Sequence, residues 1–250
     1  MPDLDMAAPA NAKAAPATGP LLSVHNLEAW YGESHILHGM NFEVNAGEVV
    51  TLLGRNGAGK TTTLKSIMGM IGKRTGSVRF NNQAIINASS DRIARLGIAF
   101  CPEERGIFSS LDVRENLMLP PVVREGGLSL EQIFELFPNL KERLKSQGTK
   151  LSGGEQQMLA IARILRTGAS FLMLDEPTEG LAPVIIQQIG HTIARLKKEG
   201  FTILLVEQNF RFASTVADRY YVVEHGKIID GFANSDLQAN MDKLHTYLGV

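Results

Sequence analysis

Short runs of alternating apolar and polar residues follow the first 20 positions of the chain. Three of these runs cover residues 22–27, 41–45 and 48–53, and glycines at positions 32, 39 and 47 separate them. Alternation with a period of two, bounded by glycine, is typical of half-buried strands. This part of the chain therefore predicts a small, partly antiparallel sheet.

Strand and helix patterns alternate in the rest of the chain. They predict a helix over 59–70, a strand over 77–80, a helix near 91–96 and a strand over 98–101. A polar stretch over 112–150 has mainly helical patterning, and strand and helix alternate again after it. The alternation predicts an α/β core, and the polar stretch predicts a helical lobe on that core.

The first 20 residues differ from everything that follows. They contain four of the ten prolines and seven alanines, with almost no large apolar side chain. Such a segment cannot bury enough surface to offset the entropy lost on ordering, so residues 1–20 are predicted to be a disordered Ala/Pro-rich tail. The acidic start and early prolines also differ from a secretory signal, so export is not expected.

Composition and charge exclude several classes of protein. The 25 basic and 26 acidic residues give a net charge of -1, which argues against bulk binding of nucleic acid or anionic lipid. No apolar run approaches the roughly 18–20 residues that span a bilayer. The single cysteine, Cys101, excludes an internal disulfide and a Cys-based zinc cluster, which fits a reducing, cytoplasmic compartment.

A phosphate-binding motif follows the apolar run that ends at Leu53. Residues 54–61 read G-R-N-G-A-G-K-T and match G-x-x-x-x-G-K-[ST] between a strand and a helix, the context that this motif requires. Its glycines let successive N–H groups face phosphate oxygens, Lys60 can bridge the β and γ phosphates, and Thr61 can offer its hydroxyl to Mg²⁺. The strand and helix on either side argue against a simple glycine-rich turn that only caps a helix.

Two carboxylates end a second apolar run. Residues 170–177 read S-F-L-M-L-D-E-P, and the pattern predicts a buried parallel strand that ends at Asp175 and Glu176. Open α/β sheets bind ligands at this edge, where Asp175 suits a magnesium shell and Glu176 can accept a proton from an attacking water. Alone, the pair could equally be an exposed acidic turn, but the phosphate loop argues against that interpretation.

A third segment, L-S-G-G-E-Q-Q at 151–157, combines a capping box with two glycines. Ser152 and Glu155 can begin a helix by themselves, and the apolar spacing that follows gives that helix a core face. Gly153 and Gly154 are not explained by this, because each costs about 1 kcal/mol relative to alanine in a helix. The sequence therefore predicts that something approaches this backbone closely, and an anionic phosphate is the physical candidate.

In their order along the chain, these three motifs resemble those of the nucleotide-binding subunit of an ATP-binding cassette (ABC) transporter. The likeness covers residues 22–250. The segments P-E-E-R-G-I-F at 102–108, D-E-P-T-E-G-L-A-P at 175–183 and L-V-E-Q-N at 205–209 are most similar to importers of branched-chain or hydrophobic amino acids. A urea importer subunit is a close relative.

The resemblance implies an α/β fold: a P-loop NTPase core with a small antiparallel β subdomain and a helical signature subdomain. It implies an ABC ATPase domain over 21–250, with the helical subdomain at about 103–165. It also implies that Tyr31 stacks on adenine, with plain core packing as the alternative for Tyr31 and Trp30 as the fallback for the stacking role. The residues that the resemblance assigns to nucleotide are Tyr31, Gly54, Arg55, Asn56, Gly57, Ala58, Gly59, Lys60, Thr61, Thr62, Ser152, Gly153 and Gly154.

Three positions depart from the superfamily pattern. Glu103 stands where a glutamine usually contacts Mg²⁺, which makes it a metal candidate beside Thr61 and Asp175. Gln208 stands where a histidine usually touches the γ phosphate, so the resemblance makes it a catalytic candidate beside Glu176. Gln208 cannot hold a positive charge, and Ala182 replaces a usual aspartate. All three departures resemble the amino acid importer branch.

The sequence thus predicts a peripheral ATPase at the cytoplasmic face of the inner membrane, with ATP and Mg²⁺ as cofactors. The partners that the resemblance implies are a second ABC ATPase subunit, identical or different, two transmembrane permease subunits and a periplasmic solute-binding protein. One rival is a cassette that works on DNA or ribosomes, but the chain lacks a long coiled coil, a second cassette and a basic face. A second rival, a small-molecule kinase, would leave the L-S-G-G-E-Q-Q segment and Glu176 without a purpose.

Overall fold

The computed structural model describes residues 19–249 and contains two sheets with helices around them. The tail predicted for residues 1–20 lies outside the described residues except for Gly19 and Pro20. Within residues 19–249, no helix is both long enough and apolar enough to cross a membrane.

The larger sheet has six strands in the order β10-β9-β3-β8-β7-β6. Its neighbours are parallel except for β10, which pairs antiparallel with β9 at one edge. The central strands are fully buried and read as nearly continuous apolar runs, because one face of the sheet packs against helices and the other packs against the smaller sheet and the helix after β3. The strands of this sheet are β3 (Val49–Leu53), β6 (Ile98–Cys101), β7 (Phe171–Asp175), β8 (Thr202–Glu207), β9 (Arg219–Glu224) and β10 (Lys227–Ala233).

The smaller sheet is antiparallel, in the order β2-β1-β4-β5. Its strands are β1 (Leu22–Tyr31), β2 (Ser34–Val44), β4 (Lys73–Phe80) and β5 (Gln83–Ala84). Gly39 lies inside β2 and does not separate two elements. The side chain of Asn26 approaches it where the pairing of β1 with β2 is irregular. A Cβ at Gly39 would lie 2.8 Å from Asn26 Oδ1, so glycine accommodates the bulge there.

Two of the predicted strands belong to a different sheet from the one that the sequence predicted. The run over 48–53 was grouped with the small antiparallel sheet, but it is β3 at the centre of the large sheet. The run over 77–80 was placed in the α/β alternation, but it is the end of β4 in the small sheet. Burial explains both corrections, because β3 is buried on both faces while β4 alternates between buried and exposed positions.

Helices pack on both sheets and form the predicted lobe. Buried residues of the lobe pack in one hydrophobic cluster with Leu172 of β7 and Ile203 of β8, so the lobe shares its core with the large sheet. The helix predicted over 59–70 is shorter, because the chain leaves the helix at Met68. The helices are α1 (Lys60–Ile67), α2 (Ser90–Arg95), α3 (Val113–Met118), α4 (Leu130–Leu136), α5 (Pro138–Glu142), α6 (Gly153–Leu165), α7 (Pro183–Lys198), α8 (Phe210–Val216) and α9 (Met241–Leu248).

The topology places the candidate chemistry at one edge. Strands β3, β8 and β7 are adjacent and parallel, so their carboxyl ends meet at the same edge of the large sheet. Each of these ends continues into a motif identified from the sequence: the phosphate loop after Leu53, residues 208–209 after Glu207, and Glu176 after Asp175. Sheet order thus brings the phosphate loop together with two segments that lie more than 100 residues further along the chain.

Candidate functional site

The loop between β3 and α1 depends on glycine at two places. A Cβ at Gly54 would lie 2.4 Å from the carbonyl oxygen of Val223, so β9 leaves no space for a larger residue. Gly59 has a φ of 104° and would clash with Leu37, which a Cβ would approach to 2.9 Å. Both contacts fix the path of the backbone as it enters α1.

Lys60 is the first residue of α1 and is buried inside this loop. Its Nζ donates hydrogen bonds to the carbonyl oxygens of Gly54 at 2.8 Å and Arg55 at 3.0 Å. It also forms an ion pair with Glu176, at 3.1 Å from Oε1, and both side chains are nearly inaccessible to solvent. In this state the ammonium group is satisfied entirely by groups of the protein.

Asp175 provides a carboxylate that is only half satisfied. Its Oδ1 accepts a hydrogen bond from Thr61 Oγ1 at 3.0 Å, whereas Oδ2 is buried without a hydrogen-bond partner. Burial raises the pKa of Asp175 to about 6, and the charges of Glu176 and Glu103 add to the effect while Thr61 acts against it. An orphaned buried carboxylate oxygen beside a hydroxyl is a donor set that fits a hard divalent cation.

Glu176 follows Asp175 in a left-handed backbone conformation, with a φ of 44°. This conformation is uncommon for a residue with a side chain, and it is held in place because the Glu176 N–H donates to the carbonyl oxygen of Val206 at 3.0 Å. The turn directs the side chain to Lys60, away from the line of β7.

Lys60, Thr61 and Glu176 line a cleft of about 390 Å³. The phosphate loop, the first turn of α1, Glu103 and Glu176 all contribute to the lining. Burial and contact with the carboxyl group of Glu179 raise the pKa of Glu103. The lining consists of Tyr31, Ile36, Asn56, Gly57, Gly59, Lys60, Thr61, Thr62, Glu103 and Glu176.

One end of the cleft is apolar. Tyr31 ends β1 with 48% of its surface exposed, and Ile36 of β2 lies in the same lining. Trp30 is already engaged, because its ring stacks on His35 at 4.3 Å and Lys73 lies over it at 5.2 Å. Tyr31 is therefore the aromatic ring that a planar ligand can reach, and Ile36 is a lining residue that the sequence analysis did not identify.

Replacing Tyr31 with alanine is expected to weaken ATP binding by about 5- to 150-fold, because stacking of a base on an aromatic ring contributes about 1–3 kcal/mol. Tyr31→Phe keeps the ring and is the matched control, so its affinity should stay within about 3-fold of the wild type. Titration with a fluorescent ATP analogue measures both. Equal affinities for the alanine variant and the wild type would remove Tyr31 from the site.

Three of the residues predicted to contact nucleotide, Gly54, Arg55 and Ala58, have other contacts or burial in the structure. Gly54 and Arg55 present carbonyl oxygens to Lys60, and Ala58 is buried. The Arg55 side chain points elsewhere, since its Nε donates to the carbonyl oxygen of Leu248 at the end of α9. The predicted contact of Arg55 with nucleotide is therefore left to its backbone.

Ser152 is the N-cap of α6, as the sequence suggested. Its Oγ accepts from the N–H of Glu155 at 3.3 Å, and its own N–H donates to Glu155 Oε2 at 2.7 Å, which completes the capping box. Among the described residues, the lining of the cleft does not include Ser152, Gly153 or Gly154. These three residues form a second feature, outside the cleft of their own chain.

One of the two glycines has an internal explanation. A Cβ at Gly154 would lie 2.9 Å from Ile185 Cγ1 in α7, so the close neighbour at this position is a packed side chain and not an anion. This packing explains why position 154 needs a glycine, and the contact of Gly154 with a phosphate stays a prediction. Gly153 is less crowded, since a Cβ there would lie 3.5 Å from the guanidinium nitrogens of Arg105.

Comparison with known proteins decides the family. The chain matches the ABC transporter family model over residues 37–179. The chain belongs to the ABC transporter family. It is 42% identical to the high-affinity branched-chain amino acid transport ATP-binding protein BraG of Pseudomonas aeruginosa, over 92% of this chain and 100% of that protein.

Not every relative of this ABC protein is named for amino acid transport. It is 33% identical to the lipopolysaccharide export system ATP-binding protein LptB of Escherichia coli, over 91% of this chain and 97% of that protein. A crystal structure of an ABC transporter cassette in its ADP conformation superimposes with a TM-score of 0.77 at 25% identity, covering 93% of this chain and all of the other. The P-loop fold with its β and helical subdomains is thereby confirmed, and the protein is an ATP-hydrolysing, nucleotide-binding subunit of the ABC type.

Gln208, the catalytic candidate that the ABC resemblance implies beside Glu176, stays a prediction. It is exposed in the loop after β8, and the cleft lining found among residues 19–249 does not include it. Its neighbour Glu207 is buried and was not identified from the sequence.

Proposed function

We propose that this ABC subunit hydrolyses MgATP in the cleft and thereby drives uptake of branched-chain or other hydrophobic amino acids. The observation that carries the proposal is the cluster of Lys60, Thr61, Asp175 and Glu176 at the carboxyl ends of β3 and β7. The solute class is supported by the similarity to BraG along its whole length.

Binding of ATP requires the cleft to rearrange locally. The triphosphate lies along the N–H groups at the start of α1, where the helix field favours anions. Lys60 exchanges its contact with Glu176 for the terminal phosphates, which releases the carboxylate for chemistry. Tyr31 and Ile36 hold the adenine at the apolar end.

The chain's own residues then hold the metal and handle the proton. Thr61, Asp175 and Glu103 would hold Mg²⁺, which when bound neutralises charge on the phosphates. The unpartnered Oδ2 of Asp175 supports this assignment. Within residues 19–249, no group of three or more His, Cys, Asp or Glu side chains is placed to hold a metal ion. Glu176 accepts the proton of the attacking water.

The position of Ser152, Gly153 and Gly154 supports a second subunit as partner. These three residues lie outside the cleft of their own chain, which supports a sandwich in which they face the ATP of a second ABC ATPase subunit. Two transmembrane permease subunits and a periplasmic solute-binding protein complete the importer, with this chain at the cytoplasmic face of the inner membrane.

Replacing Ser152 with arginine is expected to lower turnover of the assembled pair by about 10-fold or more, because the larger side chain obstructs the start of α6. ATP binding by this chain alone should be unchanged, because its own cleft does not contain Ser152. Ser235→Arg places the same side chain at an exposed serine and serves as the control. Loss of ATP binding by the isolated Ser152→Arg chain would contradict the two-subunit site.

The similarity to LptB makes lipopolysaccharide export the second candidate. The two are separated by deleting the gene and measuring uptake of labelled leucine, isoleucine and valine, together with outer-membrane lipopolysaccharide. We expect uptake to fall and to be restored by the wild-type chain but not by Glu176→Gln. Unchanged uptake with accumulation of lipopolysaccharide in the inner membrane would favour export.

A further inference from the structure

Glu207 is a buried carboxylate that the chemistry above does not use. It is the last residue of β8, and only 2% of its surface is exposed. Each carboxylate oxygen accepts one hydrogen bond, Oε1 from Thr178 Oγ1 at 2.8 Å and Oε2 from the N–H of Asn209 at 3.1 Å. A charged group in such a place requires these partners, because burial without them is costly.

The two donors belong to different functional loops. Thr178 is buried two residues after Glu176, and its carbonyl oxygen accepts from the N–H of Leu181 at 3.3 Å. Asn209 directly follows Gln208, and its side chain caps α8 by accepting from the N–H of Phe212 at 3.1 Å. Glu207 is thus hydrogen-bonded to the loop after β7 as well as to the loop after β8.

We propose that Glu207 is a positioning residue that locks the loop carrying Glu176 to the loop carrying Gln208. The inference rests on the catalytic role proposed for Glu176 and adds a residue that acts through it. Gln208 lies between the carboxylate and the amide that it fixes, so the backbone on both sides of Gln208 is held. The left-handed turn at Glu176 is held from the same strand, through the carbonyl oxygen of Val206.

The electrostatics of the site agree with this role. Burial raises the pKa of Glu207 to about 7, while the hydrogen bonds from Thr178 and Asn209 act against that rise. The charge of Glu176 adds to the rise. The carboxylate therefore depends on both loops for its partners, just as the loops depend on it.

The test compares Glu207→Leu, which removes both acceptors, with Glu207→Gln, which keeps one acceptor for Asn209 and a donor for Thr178. Thr178→Val removes one link only, and Thr178→Ser is its matched control. The readouts are hydrogen exchange at the Asn209 amide and across residues 176–181, ATP affinity, and turnover. Misplacing catalytic groups by about 1 Å can cost about 10²-fold in rate.

For Glu207→Leu we expect faster exchange in both loops, ATP affinity within about 3-fold of the wild type and turnover at least about 10-fold lower. Glu207→Gln and Thr178→Ser should recover most of the turnover, and Thr178→Val should loosen residues 176–181. If Glu207→Leu does not fold, Thr178→Val alone decides the outcome, because it leaves the carboxylate in place.

The inference would be overturned if Glu207→Leu exchanged at the wild-type rate in both loops. If Glu207→Leu does not fold, wild-type exchange in both loops of Thr178→Val would overturn it. The inference would also be overturned if Glu207→Gln lost as much turnover as Glu207→Leu. The exchange measurement needs no nucleotide, so it separates this inference from the proposed function. If the Glu207 and Thr178 variants change the exchange but Glu176→Gln hydrolyses ATP normally, the positioning role of Glu207 stands and Glu176 is rejected as the base.

Discussion

Glu176→Gln is expected to lower ATP turnover by about 10²–10⁴-fold, the contribution typical of a positioned general base. The amide keeps the shape of the side chain but cannot accept the proton of the attacking water. ATP affinity should be retained or should rise, because the substitution removes a negative charge that faces the phosphates and pairs with Lys60. Steady-state hydrolysis and nucleotide titration measure the two effects separately.

The control for this variant is Glu104→Gln, which makes the same chemical change at an exposed carboxylate outside the described cleft lining. Its turnover should stay within about 3-fold of the wild type, since surface substitutions have small effects. Near-normal hydrolysis by Glu176→Gln would reject Glu176 as the base.

Lys60→Ala is expected to weaken ATP binding by about 10- to 100-fold, the equivalent of the roughly 1.5–3 kcal/mol that a hydrogen bond to a charged group contributes. The variant should also melt at a lower temperature without nucleotide, because Glu176 loses its partner and becomes an unpaired buried charge. Nucleotide titration and thermal unfolding measure these two consequences.

Two further variants make the Lys60 result specific. Lys65→Ala removes an ammonium group from the same helix outside the described cleft lining, so it should change ATP affinity by less than about 3-fold. The double variant Lys60→Ala, Glu176→Gln should regain much of the lost stability, because no unpaired charge remains. Unchanged ATP affinity in Lys60→Ala would show that this ammonium group does not bind phosphate.

The sequence was most informative where local pattern and chemistry coincide. The phosphate loop needs a strand before it and a helix after it, and both are local, so β3 and the start of α1 were predicted closely. The capping box of Ser152 and Glu155 was found for the same reason. Assignment of strands to sheets failed for the runs over 48–53 and 77–80, because pairing depends on partners far away in the chain.

The parts of the site that the sequence did not indicate are long-range contacts. Ile36 enters the cleft because β2 pairs with β1, and Gly154 is needed because Ile185 of α7 packs against it. The hydrogen bonds of Glu207 join two loops that meet only once β7 and β8 are paired. No local periodicity or motif predicts such contacts, so they required the fold.

The most direct test of the account is ATP-driven uptake by the complex that purifies with this chain. The complex is reconstituted in proteoliposomes with the solute-binding protein and supplied with ATP on the side of the cassette. We predict accumulation of labelled leucine, isoleucine or valine with the wild-type chain and none with Glu176→Gln. Full ATP turnover by the wild-type complex without uptake of any hydrophobic amino acid would contradict the proposed function.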